Sequence, residues 1–331
     1  MLNSVPPIGQ KLRLVFMNKI LVTGAAGNIG GAMVKKLLQK GSYFVVAADD
    51  LSTGKIEKLP PSDTQHFKFV KCNVNNLSEL GQVMLAHQFD FVFHLAAKVG
   101  VQRTQEDPVG VLRDIEGIRN ILELSKNTSV KRVFYASSSE VYGEPVTVPQ
   151  HEHTTPLNSR VPYAVVKNVG ECFCRSYQFE YGLNYTIFRY FNTYGPSQST
   201  DFVLPRFIEA ALKEKPIQIY GDGSQSRTFT YVDDTVDASL GCLFQNQVLN
   251  EVINIGNDQP VSILELAKMI LRITGSPSVI SHMPPLQDGD MTRRQPDNTK
   301  MQGLLNRPLI PLEEGILRTL RDPGFLKSIG V

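Results

Sequence analysis

The chain has 331 residues, 42% hydrophobic and 20% charged, with 34 Lys plus Arg against 32 Asp plus Glu and a formal net charge of +2. That length can bury a core in one large domain or two modest ones, and a near-neutral balance without a dense basic stripe carries no nucleic-acid signature. No apolar run approaches the roughly 20 residues of a membrane span, which excludes a helical membrane protein and leaves a soluble one.

Residues 1–17 hold two prolines and little periodicity, and they read as an N-terminal extension without an assigned function. Ile20, Leu21 and Val22 form an apolar run suited to a strand buried on both faces. The run breaks on Gly24, Gly27 and Gly30. Ile29, Met33, Val34, Leu37 and Leu38 then fall at helical spacing, with Lys35, Lys36 and Lys40 on the other side. Gly41 ends this helix, and a second β-branched and aromatic run from Tyr43 finishes in Asp49 and Asp50. A glycine turn that opens a helix presents bare N–H groups and a positive dipole end, which suits a pyrophosphate. An acidic residue about 20 positions later suits a ribose 2′-hydroxyl and repels a 2′-phosphate, which favours NAD over NADP. Asp49 is the ribose candidate and Asp50 its solvent-facing neighbour.

Residues 51–63 read as a surface loop, 67–72 as a third strand closed by Asn73 and Val74, and 77–88 as a short helix. A fourth strand over 91–97 leads into the small-residue turn Leu95, Ala96 and Ala97 beside the cofactor, with His94 packed at the strand end rather than catalytic. One long helix over about 108–127 and a fifth strand over 132–136 follow. Strand alternating with helix predicts a parallel, doubly wound sheet whose ligand lies at the carboxyl ends of its strands. Lys35, Lys36, Lys131 and Arg132 read as solvated charges.

After the fifth strand come Ser137, Ser138, Ser139 and Glu140, and about 25 residues later Pro162, Tyr163 and Lys167. Proline at a helix start places Tyr163 and Lys167 one turn apart on one face, with Glu171 opening the next turn. An ammonium beside a phenol favours the phenolate, so the pair reads as a base for a sugar hydroxyl proton while hydride leaves the same carbon. Cys72, Cys172, Cys174 and Cys242 follow no metal or redox spacing. Without a signal peptide they read as reduced thiols of a cytoplasmic protein. His151 and His153 flank a glutamate in a Pro-rich loop, which reads as polar surface; no metal site is expected.

These separated motifs resemble those of the extended short-chain dehydrogenase/reductase family of nucleotide-sugar epimerases, dehydratases and decarboxylases. The likeness runs from about residue 18 to about 320. The stretch 23–30 is similar to the family's cofactor turn and 49–54 to its ribose-binding turn. Ser138 stands in the place of the catalytic Ser/Thr, and Tyr163 and Lys167 match the catalytic pair. The resemblance implies a doubly wound parallel Rossmann sheet with a smaller α/β C-terminal substrate domain. Residues 18–193 are the expected NAD-binding domain, 233–260 return to it, and 194–232 with 261–331 form the substrate domain. The cofactor residues it implies are Gly24, Gly27, Asn28, Ile29, Gly30, Asp49, Asn73, Val74, Leu95, Ala96, Ala97, Tyr163 and Lys167. On the substrate side it implies Ser139, Asn192 on the phosphates, Val203 and Leu204 beside the nucleobase, and Arg227 and Arg294 gripping the pyrophosphate. Arg293 reads as a surface charge. Two positions depart from the family pattern: Asn73 replaces a usual aspartate near the adenine, and Asp114 replaces an asparagine before Gly117.

Family dehydratases place an aspartate and a glutamate after the catalytic serine, whereas this chain has Ser139 and Glu140. Many family 4-epimerases carry a small residue at the glutamate position, yet 4-epimerisation is the commonest outcome for the overall pattern, so the resemblance implies first a UDP-hexose 4-epimerase type of activity through a transient 4-keto sugar, with Glu140 a catalytic candidate beside Ser138, Tyr163 and Lys167. Close behind stands a UDP-glucuronate decarboxylase, which carries serine and glutamate at those places, then a 4,6-dehydratase. A dinucleotide sensor or scaffold is the reading from a different class; it has no need of Ser138, Tyr163 and Lys167 together. The partner implied is a nucleotide sugar, UDP-linked first, in a homodimer joined through two helices, one of which carries Tyr163 and Lys167. Val165, Val166, Val169 and Phe173 fit either that interface or the internal core. Residues 283–300 read as a loop that orders over ligand, and Ser262 as a helix N-cap.

Overall fold

The computed structural model describes residues 17–285 and 291–331, so the extension up to residue 16 and part of the 283–300 loop lie outside the described residues. The first half alternates strand and helix: β1 (Asn18–Thr23), α1 (Asn28–Gln39), β2 (Tyr43–Asp49), β3 (Phe67–Lys71), α2 (Leu77–His87), β4 (Phe91–His94), α3 (Val101–Glu106), α4 (Pro108–Leu112), α5 (Asp114–Asn127), β5 (Arg132–Ser138), α6 (Pro162–Tyr181) and β6 (Tyr185–Tyr190). The second half holds β7 (Thr193–Tyr194), α7 (Val203–Leu212), β8 (Ile217–Tyr220), β9 (Ser226–Thr228), β10 (Thr230–Tyr231), α8 (Val232–Gly241), β11 (Glu251–Ile255), β12 (Pro260–Ser262), α9 (Ile263–Thr274), β13 (Ile280–Met283), α10 (Thr299–Leu305), α11 (Leu312–Arg321) and α12 (Pro323–Ile329).

Seven strands form one parallel sheet in the order β11-β6-β5-β4-β1-β2-β3. Alternate residues of each strand enter opposite cores: Ile20, Val22, Phe93 and Phe134 on one face, Leu21, Val46, Val92 and Val133 on the other. Burial on both faces explains why these strands read as continuous apolar runs rather than alternating ones. The first core continues into the second half through Phe207, Ile219, Leu266, Ile316 and Phe325. The chain reverses its direction of travel across the sheet between β1 and β4, and there the carboxyl ends of the strands open a crevice.

Several boundaries differ from the sequence reading. The expected helix over 108–127 is two, α4 and α5, adjoining at Arg113. The residues expected to continue β4 leave the sheet after His94, and a short helix, α3, fills the turn that follows. Arg132 is buried, not solvated; its guanidinium donates to the Cys242 carbonyl at 2.9 Å and so ties β5 to the end of α8. Ser262 caps α9 in a full capping box with Glu265. Val166 is buried in the second core and Phe173 packs against it, while Val165 faces outward.

Candidate active site

The turn after β1 is built on close backbone approach. Gly24 has a φ of +64°, and a Cβ there would lie 2.7 Å from the Ala96 backbone nitrogen; a Cβ on Gly30 would lie 2.2 Å from the Gly24 carbonyl oxygen. No larger residue fits either place. Gly27 caps α1 without any side-chain hydrogen bond, so the first N–H groups of the helix face the crevice unsatisfied. Asn28 beside it has a buried Oδ1 with no partner in the chain. Asp49, at the end of β2, accepts from the backbone N–H of Ala26 at 2.9 Å and of Leu51 at 2.8 Å. Each carboxylate oxygen keeps a free acceptor site. An uncapped helix start, a glycine cradle and a buried carboxylate fit a dinucleotide, with the pyrophosphate at α1 and a ribose at Asp49.

The cleft at this edge encloses about 660 Å³. Its wall includes Gly24, Gly27, Asn28, Ile29, Gly30, Asp49, Asn73, Val74, Leu95, Ala96 and Ala97 from the cofactor side. Ser138, Ser139, Glu140, Tyr163 and Lys167 face the same space, as do Asn192, Val203, Leu204 and Arg294. Arg227 stands apart: it lies buried on β9, outside the cleft wall, with Nη1 donating to the Ser226 carbonyl at 2.8 Å. Asn192 takes a left-handed φ of +35°, tolerated best by asparagine among non-glycine residues, and its amide donates to the Thr228 carbonyl at 3.0 Å.

Ser138 ends β5, its hydroxyl accepting the Glu140 N–H at 3.2 Å and also hydrogen-bonding the Tyr163 phenol. Pro162 starts α6 and sets Tyr163 and Lys167 on its inner face. The expectation that Lys167 lowers the phenol is not met by the chain on its own. Burial pushes the Tyr163 phenol above its ordinary 10.0, the Glu140 charge adds to the rise, and the Ser138 hydrogen bond counters it. Lys167 does not offset the burial: its Nζ sits 5.7 Å from the Tyr163 ring centroid and donates to the Ala136 carbonyl at 2.8 Å. Burial lowers Lys167 itself to about 8, and Asp114 opposes that fall. Asp114 starts α5 on the cleft wall and accepts the Lys98 N–H at 2.6 Å; burial raises its carboxyl.

His94 is packed as the sequence reading expected. It is 2% exposed, its Nδ1 lies 2.9 Å from the Thr23 hydroxyl, and burial followed by the Lys167 charge lowers it to about 3. Burial thus keeps the ring in its neutral form, hydrogen-bonded to Thr23 inside the fold.

Behind Ser138, Tyr163 and Lys167 lies a buried network that motif reading named only in fragments. Glu171, one turn past Lys167, accepts Arg189 Nε at 2.8 Å and Nη2 at 2.7 Å, and the Ser137 hydroxyl at 2.7 Å. Arg189 Nη1 donates to the Tyr142 hydroxyl at 2.9 Å, and Tyr142 to Asn254 Oδ1 at 2.7 Å. Burial alone would raise Glu171, but the Arg189 bonds and charge hold it below its ordinary range. The network clamps α6 to β5, β6 and β11, which fixes Ser138 against Tyr163. Period and composition could not single it out, since its members are scattered over 118 positions from 137 to 254. Lys98, Arg103 and Phe202 also line the cleft without having been singled out from sequence. Among the described residues no cluster of side chains could hold a metal ion, and no helix is long and apolar enough to cross a membrane.

Comparison with known proteins agrees with this geometry. The chain is 35% identical to a UDP-N-acetyl-alpha-D-glucosaminuronate decarboxylase of Bacillus cytotoxicus over 318 residues, covering 92% of this chain and 97% of that one. It is 34% identical to a UDP-glucuronate 4-epimerase of Thermodesulfobacterium geofontis, covering 95% of this chain and all of the other. The crystal structure of UDP-glucose 4-epimerase with UDP-glucose from Thermotoga maritima superposes with a TM-score of 0.87 at 34% identity, over 94% of this chain and 99% of that one. A family model matches residues 20–256, and the chain belongs to the NAD dependent epimerase/dehydratase family.

Proposed function

We propose that the protein is an NAD-dependent 4-epimerase of a UDP-linked sugar, working in the cytoplasm as a homodimer. The observation that carries the reading is one shared cleft wall: the glycine turn and Asp49 at one end, Ser138, Tyr163 and Lys167 in the middle, Asn192 and Arg294 at the other. Residues 194–232 and 261–331 are then the part that binds the nucleotide sugar, and 18–193 with 233–260 the part that binds NAD. Bound NAD supplies the hydride acceptor for the sugar's C4 and the donor that returns it. Tyr163 takes the 4-hydroxyl proton, with Ser138 orienting the phenol and the sugar oxygen. Lys167 keeps a positive charge at the back of the phenol. Once the keto sugar had turned its other face within the cleft, the Tyr163 phenol would return the proton to the 4-oxygen. The exposed Val165 on α6 and Val109 and Leu112 on α4 support a pairing face, and the four free cysteines suit a reducing compartment.

One observation favours a second reading, decarboxylation of a UDP-linked uronate. Arg294 Nη1 lies 3.5 Å from Glu140 Oε1 on the cleft wall, a cation and a carboxylate beside the serine pair Ser138 and Ser139. A uronate carboxylate placed there would lose carbon dioxide as the C5–C6 bond electrons flow to the C4 ketone, leaving an enolate that C5 protonation quenches. The test is incubation with UDP-, dTDP- and GDP-sugars, UDP-glucuronate among them, with products read by NMR. Inversion at C4 upholds the first reading. A pentose with released carbon dioxide selects the second, and absence of both turnover and NAD removes both.

A further inference from the structure

The chain from 291 to 298 runs as an extended strap past the cleft, with Met291, Arg294, Pro296 and Asn298 buried and Thr292 and Arg293 exposed. Side-chain amides hold its carboxyl half, Gln295 donating to the Asp258 carbonyl at 2.9 Å, Asn298 to the Gly256 carbonyl at 3.0 Å and Asn254 to the Asp297 carbonyl at 3.2 Å, and backbone bonds add to them. On one side the Ser226 N–H donates to the Thr292 carbonyl at 3.0 Å, making a bridge to β9. On the other, Gln150 donates to the Gln295 carbonyl at 2.7 Å and Asp297 to the Gln150 carbonyl at 2.8 Å. Glu144 adds a tie at the amino end of the strap. One of its carboxylate oxygens accepts the Thr292 N–H at 3.0 Å, and the other accepts the Thr292 hydroxyl.

Glu140 and Glu144 lie four residues apart at the end of the catalytic strand motif, and the residues they meet, Arg294 and Thr292, lie two apart on the strap. The same turn therefore grips the strap twice, once in the cleft through Glu140 and once at the rim through Glu144. Arg294 has few other constraints on its guanidinium, chiefly a contact from Nε to Met291 Sδ at 3.2 Å. Thr292 is its anchor on the amino side, as Gln295, bonded to Gln150 and Asp258, is on the carboxyl side. We propose that Glu144 is a positioning residue for substrate binding, a rim latch that clamps Thr292 so that Arg294 stands at the sugar-nucleotide end of the cleft. Glu144 and Thr292 are both exposed and touch no part of the cleft wall themselves. The latch rests on the reading above that Arg294 contacts the nucleotide sugar.

The test uses the full chain with its bound cofactor and compares Glu144→Ala, Thr292→Val, Thr292→Ser, Arg294→Ala and the Glu144→Ala/Arg294→Ala double variant. UDP and UDP-glucuronate are the probes, titrated calorimetrically, and KM and kcat are measured for whichever nucleotide sugar turns over. Glu144→Ala should weaken binding or raise KM about tenfold, the scale of one charge-assisted hydrogen bond, with kcat and NAD content unchanged. Thr292→Val should fall in the same direction by less, and Thr292→Ser should match the wild type. In the double variant the Glu144 change should add nothing to the loss from Arg294→Ala, since a latch acts only through what it holds. Glu144→Ala without effect, while Arg294→Ala weakens binding, overturns the latch and leaves the Arg294 reading standing. Additive losses overturn it as well, because they assign Glu144 a separate role. Arg294→Ala without effect removes the reading of Arg294 and the latch together.

Discussion

Replacing Lys167 with methionine should stabilise the cofactor-free protein while abolishing its activity, because the ammonium is held in the fold against its own preference. Lys167 is 4% exposed, and burial lowers it from its ordinary 10.5 to about 8. At about 1.4 kcal/mol per tenfold, that fall sets about 3 kcal/mol against the folded state wherever the side chain is charged in both states. Methionine keeps the apolar stem and removes the charge. It also deletes the hydrogen bond to the Ala136 carbonyl, at a cost of about 1 kcal/mol. The net expectation at pH 7 is a gain of about 2 kcal/mol, roughly 3 °C in melting temperature for a chain of this size. The sign follows from proton counts. Between about 8 and 10.5 the unfolded chain holds a proton that the folded one has lost, so the stability of the wild type rises with pH across that window. The advantage of the variant is therefore full below pH 8 and shrinks towards 10.5. Thermal melts of stripped protein from pH 6.5 to 10 measure it directly. A variant no more stable than the wild type at pH 7, or an advantage that does not change with pH, refutes the reasoning.

Tyr163→Phe should retain NAD and lose activity by about a thousandfold, the scale of general acid–base catalysis, as read by turnover beside extracted cofactor; near-normal turnover removes Tyr163 from the mechanism. Gly30→Ala should yield protein without NAD, because the new Cβ would lie 2.2 Å from the Gly24 carbonyl oxygen and must push the phosphate turn apart; full cofactor content in the purified variant contradicts this. Asp114→Asn removes the charge that opposes the fall of Lys167, so the alkaline limb of the kcat/KM profile should move to lower pH, and an unmoved limb separates Asp114 from Lys167. Glu171→Gln should cost about 3–5 kcal/mol in denaturant unfolding, since it leaves the Arg189 guanidinium buried without its carboxylate; a loss under 1 kcal/mol means the network is slack.

What could be read from the sequence was what is local in the chain. The glycine turn, the apolar strand before it and Asp49 lie within 32 positions, from 18 to 49, and each has a period or a residue type that backbone geometry demands. Tyr163 and Lys167 are four apart on a helix opened by proline, so their common face follows from helical spacing alone. Arg132 was misread for the opposite reason: a charged residue at the first position of a strand is ordinarily solvated, and only the arrival of the Cys242 carbonyl, 110 positions later, lets its guanidinium go inside. Arginines 227 and 294 make the same point. Both belong to motifs, both are buried, and one lines the cleft while the other lies behind it. Residue type says what a guanidinium can grip, whereas the side of a strand on which it stands is decided by pairing. β9 takes its register from β12 and Arg294 from the strap that Ser226 and Glu144 hold, so both depend on hydrogen bonds between segments far apart in the chain. Charge-reading arguments thus weaken with sequence distance: Tyr163 and Lys167 share a helix face by spacing alone, whereas which of Arg227 and Arg294 lines the cleft is decided by bonds between distant segments.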